Sequence, residues 1–268
     1  GEGGCCGAPP AIVNAALKMA ALRGAQNDDG DVTATASLYE MPESQTAVHY
    51  DDELVTAREE MAIFDDALTA SGVRDNFAET FVSAASPGII STTLLRAEGN
   101  KAYASDRDYL FALAAELKKE YEFVVSQGHI LQLDAPDLAM ERQIMFVDKP
   151  LDVFLERAEM HVEALNIALA DIPPEKVRLH VCWGNWDGPH IDDVELAPLL
   201  PILYEARVGA LSVACANPRH QHEWKEFKTH PLPDHMALIP GVIDVTTNYL
   251  EHPEVVADRI CQFVDVIG

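Results

Sequence analysis

The chain predicts an α/β fold on a parallel sheet and, within that class, a (β/α)8 TIM barrel. Three observations point there. Short apolar runs alternate with long amphipathic stretches from about residue 51 onward, the pattern of parallel strands linked by helical crossovers. Polar residues able to do chemistry fall at or just after the strand runs, at Ser86-Pro87, Asp134-Ala135-Pro136-Asp137, His180-Val181-Cys182, Cys215-Ala216-Asn217 and Asp244 to Asn248. A barrel places its active site at that carboxyl-terminal face. No Gly-rich phosphate loop follows any strand run, so an open doubly wound sheet has less support.

Each element has its own local signal. Residues 11–23 suit a short Ala-rich helix, and 27–31 a polar loop. Asp51 or Asp52 can cap a helix whose apolar positions are Leu54, Ala57, Met61, Phe64 and Leu68, and Gly72 ends it. Residues 77–85 read as a strand, broken by Ser86-Pro87-Gly88. Ser105 caps the next helix, whose stripe is Leu110, Leu113, Leu117, Tyr121 and Val124, with Gly128 as its stop. Strand 130–133, helix 151–169 closed by Pro173-Pro174, and strand 177–181 follow. A helix interrupted by Pro198 and Pro201 then runs to about Arg207, before strands 210–214 and 236–242. Pro253 opens the last helix, whose face is Val256, Ile260, Phe263 and Val264, with Cys261 on its apolar side.

Composition narrows the function. A formal net charge of −25 repels nucleic acid and anionic membrane surfaces, so neither is expected as a partner. The five cysteines (Cys5, Cys6, Cys182, Cys215 and Cys261) are odd in number and irregular in spacing. That is no secreted disulfide framework, and it fits a reducing, cytoplasmic setting. No apolar run reaches the roughly 18 residues a membrane helix needs. The first residues have neither the basic nor the apolar region of a signal peptide, and they lack an initiator Met.

His180-Val181-Cys182 is the sharpest feature. Residues two apart on a strand face the same way, so an imidazole nitrogen and a sulfur can reach one ion at the strand's mouth. Soft sulfur with imidazole suits zinc. From these residues alone the pair is either a structural couple or two metal ligands. His220, His222 and His230 near Glu223 invite a second metal site, or face solvent. Trp183 and Trp186 either wall a pocket or pack normally, and Arg219 either meets a substrate carboxylate or braces a loop.

His180-Val181-Cys182-Trp183-Gly184-Asn185 resembles the His-x-Cys zinc motif of the cobalamin-independent methionine synthase family, in its C-terminal catalytic domain and its epoxyalkane:coenzyme M transferase-like relatives. Residues 131–139 resemble that family's Gln-x-Asp-x-Pro strand end. Residues 216–220 and 240–244 resemble two further strand ends, in the same order. The likeness covers roughly residues 77–268, with 1–76 an irregular, insert-rich part of the same single partial barrel domain.

The resemblance implies a zinc ion that activates a thiol, and transfer of a methyl group to it from a folate-like donor. In methionine biosynthesis the acceptor is homocysteine. In the coenzyme M type another thiol meets an epoxide carbon. It implies His180 and Cys182 as metal ligands, and Asp134 and Asp244 as catalytic carboxylates. Ser86, Asp134, Asp137, Trp183, Asn185 and Arg219 would contact substrate. Departures accompany it. The family's glutamate ligand falls on Ala214, next to Cys215, which is either a substitute metal ligand or an inert buried cysteine, and a histidine proposed to move a proton falls on Thr246. Gly1-Glu2 resembles the tail of an early strand end, and the family's final cysteine strand would lie beyond Gly268. The expectation is therefore a barrel truncated at both ends, with a non-catalytic family fragment as a third reading.

Overall fold

The structure, a computed structural model, describes residues 41–268. The helix expected at 11–23, the loop at 27–31 and Cys5-Cys6 lie outside the described residues. In chain order the elements are β1 (Glu43–Ser44), α1 (Val55–Ala70), β2 (Phe81–Ala85), α2 (Pro87–Thr93), β3 (Leu95–Arg96) and α3 (Asp106–Ser126). Then come β4 (Ile130–Asp134), α4 (Glu141–Met145), α5 (Leu151–Ala168), β5 (Val177–Val181), α6 (Leu196–Leu203), β6 (Ala210–Ala214), β7 (Ala237–Gly241) and α7 (Pro253–Ile267).

Strands β2, β4, β5, β6 and β7 form one five-stranded sheet in that order, and every pairing in it is parallel. Strand order equal to chain order means that each crossover steps the same way, which keeps the connections on one face. Burial agrees. Leu131, Leu133, Val177, Leu179, Val181, Leu211 and Val213 are at most 1 % exposed and share a core with Leu110, Ala114, Phe154, Leu165 and Leu199 of the helices. Each such aliphatic side chain contributes about 1.5–3 kcal/mol on burial. The alternate residues, Gln132, Asp134, Arg178, His180, Ser212 and Ala214, occupy the other face and are half-buried. One strand residue therefore feeds the core and the next faces an open, more polar surface. β1 and β3 form a separate parallel pair.

Caps and glycines account for several helix boundaries. Asp51 reaches forward to accept from the amides of Glu53 and Val55. Ser105 accepts from Asp108 N and His252 from Glu254 N, each at 3.2 Å. Gly72 and Gly128 take φ of 66° and 91°, a region that glycine enters without steric cost.

Several expectations need correction. The strand placed at 77–85 begins only at Phe81, because Arg74–Asn76 form a 3-10 turn. Ser86-Pro87-Gly88 is no simple break: Ser86 caps α2, with Pro87 in its first turn. The helix expected to reach Arg207 ends at Leu203, two residues past Pro201. Cys261 is exposed rather than core, because Phe263 is the one buried residue of α7, and Ile260 and Val264 are 45 % and 56 % exposed. No helix among the described residues is long and apolar enough to cross a membrane.

Candidate active site at the carboxyl ends of the strands

Parallel pairing puts Asp134 of β4, His180 of β5 and Ser212 of β6 side by side on the open face. His180 is held by a hydrogen bond on one side and has a carboxylate nearby on the other. Its Nδ1 lies 3.2 Å from Ser212 Oγ, and its Nε2 lies 3.9 Å from Asp134 Oδ1. That carboxylate oxygen is buried and has no hydrogen-bond partner among the described residues. Burial holds the His180 imidazole below its ordinary pKa, so the neutral ring prevails at neutral pH. Burial, with the Asp137 charge behind it, pushes the Asp134 carboxyl up to about 6. The site thus holds a neutral imidazole beside an acid that titrates near working pH.

A pocket of about 130 Å³ opens here, lined by His180, Cys182, Trp183, Ser212, Ala214 and Asp244 among others. Asn185 also lines it. Asp244 Oδ1 accepts from both the amide and the hydroxyl of Thr246, at 3.0 and 2.7 Å. Thr246 therefore fixes the carboxylate.

The other candidate residues lie elsewhere. Ser86 and Asp137 are buried and bonded to each other, Ser86 Oγ donating to Asp137 Oδ1 at 2.6 Å. Asp137 Oδ2 accepts from His161 Nδ1 at 2.7 Å, so both of its oxygens have protein partners. Arg219 is exposed and is not among the residues lining the pocket. Cys215 is 3 % exposed and belongs to the core cluster, while its neighbours Ala214 and Ala216 line the pocket. Burial and the nearby Glu223 charge push the Cys215 thiol well up, which disfavours the thiolate a metal would need.

These placements bear on zinc. A catalytic zinc keeps three protein ligands and an open position. His180 and Cys182 supply two soft donors on one side of the pocket, but Ala214 brings only a methyl group. Among the described residues no group of three or more His, Cys, Asp or Glu side chains is placed to hold a metal ion. The described side chains therefore do not make a complete zinc site by themselves.

Two further groups went unmarked in the sequence. Ser212 could have been found by alternation, being two residues before Ala214 on the same face. His161 sits on α5, and nothing local marks it as a partner of Asp137.

No family model matches the chain. The chain is 26 % identical over 200 residues to a 2-hydroxypropyl-CoM lyase of Xanthobacter autotrophicus. The aligned region is 65 % of this chain and 49 % of that protein, so the chain spans about half of its relative's length. The chain is thus related to an enzyme, and the name of that enzyme agrees with the coenzyme M type of the resemblance rather than with methionine synthesis.

Proposed function

We propose that the chain is an enzyme that makes or breaks a carbon–sulfur bond between a small thiol and a carbon skeleton bearing a neighbouring hydroxyl, and that its sheet is an arc of a (β/α)8 barrel. The observation that carries this reading is the convergence of His180, Cys182 and Asp244 on one pocket at the strand ends, with Asp134 beside His180. The CoM-named relative supports a thiol of the coenzyme M kind over homocysteine.

In the forward direction the thiol sulfur attacks an epoxide carbon. The carbon–oxygen bond breaks, its electron pair stays on oxygen, and a proton completes the hydroxyl. The reverse reaction releases thiol and epoxide. The pocket's largely apolar wall would exclude water from the electrophile. The Asp134 carboxyl, pushed up to about 6, would hold or give the proton beside the pocket. Asp244, fixed by Thr246, is the carboxylate that lines the pocket itself. A zinc ion would be held in part by His180 and Cys182, and when bound it would favour the thiolate form of the substrate.

The experiment incubates the purified chain with 2-mercaptoethanesulfonate and epoxypropane and, separately, with homocysteine and methyltetrahydrofolate. Zinc per chain is measured on wild type and on Cys182→Ala. The expected result is thioether formation from the first pair only, with zinc lower in the variant. Methionine formation from the second pair would restore the methionine synthase reading. Neither product, with no zinc in the wild type, would leave the non-catalytic reading standing.

A further inference from the structure

Trp183 follows Cys182 directly and walls the same pocket, and the side chains behind it have no part in the chemistry above. His220 Nε2 lies 2.8 Å from Asp193 Oδ2, and His220 Nδ1 lies 2.9 Å from Glu223 Oε2. An imidazole with a carboxylate at each nitrogen donates from both, so His220 is an imidazolium. Its ring is stacked on the Trp183 indole, with centroids 3.7 Å apart and planes inclined by 16°. A desolvated cation flat against an indole is held by the ring quadrupole. The indole Nε1–H donates to the Val194 carbonyl at 2.6 Å, which fixes the ring's rotation.

The same carboxylates tie the surrounding loops. Asp193 Oδ2 also takes His190 Nδ1 at 2.7 Å, and Glu223 Oε1 accepts from the Leu196 amide at 2.7 Å. His190 has φ of 51°, an unfavourable region for a residue with a side chain, and its ring is pinned between Asp193 and the Trp186 carbonyl. The β5–α6 connection and the β6–β7 connection are thus latched together over the pocket, and His190, His220 and Trp183 all line it.

We propose that His220 is a positioning residue: clamped by Asp193 and Glu223, it holds the Trp183 indole as a rigid wall beside Cys182, and that wall determines which carbon skeleton packs against the reacting thiol. The role assigned to the wall rests on the pocket being the thiol site proposed above, whereas the clamp itself does not.

The test uses the full chain in a Trp186→Phe/Trp224→Phe background, so that Trp183 is the remaining tryptophan. Asp193→Asn/His220→Leu/Glu223→Gln removes the cation and both carboxylates together, so that none of the three is left charged without its partner. Asp193→Asn/Glu223→Gln alone retains the ring, so the clamp can also be judged if the triple variant folds poorly. A stacked imidazolium quenches indole emission. The triple variant should therefore emit roughly twofold or more above its parent, and the double variant should fall between. With 2-mercaptoethanesulfonate and epoxides of increasing chain length, the triple variant should raise KM by about tenfold, with a smaller loss in kcat and less discrimination between the epoxides. Unchanged emission in a folded variant overturns the clamp whatever the activity. Raised emission with unchanged KM and discrimination overturns the positioning role. An inactive wild type overturns the functional reading and with it the role of the wall, and emission then decides the clamp by itself.

Discussion

Gly88→Ala tests the buried network behind Asp134. Gly88 lies on α2, where a Cβ would stand 1.9 Å from Asp137 Oδ2 and 2.5 Å from His161 Nδ1. Neither neighbour can move cheaply. Asp137 is 1 % exposed and His161 2 %, and they are joined at 2.7 Å. Asp137 also accepts from Ser86 Oγ, which in turn caps α2. A methyl group there must push the carboxylate off at least one partner. Breaking a buried, hydrogen-bonded pair of this kind costs about 3–5 kcal/mol. The better helix propensity of alanine returns about 1 kcal/mol. The net expectation is a loss of about 2–4 kcal/mol, read as a lower urea midpoint at unchanged m-value. Gly99→Ala is the control: a Cβ there would meet no atom within 4 Å, and its φ is not in the left-handed region, so its change should stay within about 1 kcal/mol. Equal stability of Gly88→Ala and Gly99→Ala would refute the close approach, and with it the placement of Asp137 and His161.

Three further outcomes follow from burial and charge. Leu179→Ala, at a position 0 % exposed on the core face of β5, should cost about 2–5 kcal/mol in chemical unfolding, and less than 1 would mean the helices do not cover that face. In native protein a maleimide should label exposed Cys261 quickly and reach Cys215, buried with its thiol pushed up, only after unfolding; peptide mapping that finds Cys215 labelled first would reverse this reading. Burial lowers the His220 pKa, but hydrogen bonds to Asp193 and Glu223 outweigh it and leave the folded value raised. The folded chain then binds that proton more tightly than the unfolded one. Its contribution is complete below the unfolded value of about 6.5 and is lost as pH rises through the folded value. Stability should accordingly fall more steeply with rising pH in wild type than in Asp193→Asn/His220→Leu/Glu223→Gln, and parallel slopes would contradict the raised value.

Strand positions were legible because a buried strand in a parallel sheet writes itself as a short apolar run. Residues 177–181 and 210–214 match β5 and β6 residue for residue. Helix ends were legible where a side chain or glycine does the terminating, as at Ser105 and Gly128. They failed where a signal has two meanings. Serine followed by proline breaks a strand and also starts a helix, and at Ser86 both happen within two residues. Cys261 failed for another reason. Helical periodicity locates an apolar stripe but not what covers it, and in the α7 stripe only Phe263 is buried. Within the site, His180 and Cys182 could be paired from strand alternation alone. Their cross-strand partners could not, because Ser212 and Asp134 reach His180 only through the register of three strands. Of the Asp193–His220–Glu223 clamp, the His220–Glu223 half is local and stood out in the sequence, but Asp193 joins it from another connection 27 residues away, which no local pattern announces.

Alternation also decides what a metal could find here. On β6 Ser212 and Ala214 face the open side, while Val213 and Cys215 face the core. To bring Cys215 to the pocket, the strand end would have to slip by one residue and expose Val213 as well, which forfeits about 1.5–3 kcal/mol for that side chain alone. A third protein donor is therefore far easier to supply at position 214 than at 215. Ala214 lines the pocket with His180 and Cys182, so Ala214→Glu would extend a carboxylate toward the same space. The expected result is zinc binding at least tenfold tighter than wild type, equivalent to about 1.4 kcal/mol, in competition with a chromophoric chelator. The gain should vanish when Cys182→Ala is added, because the ligands would then no longer share one ion. Tighter binding that survives Cys182→Ala would place the new site elsewhere. No gain at all would mean that position 214 and the His180–Cys182 pair do not face a common point, and the pocket's chemistry would then have to be read from its acids and its indole wall without a metal.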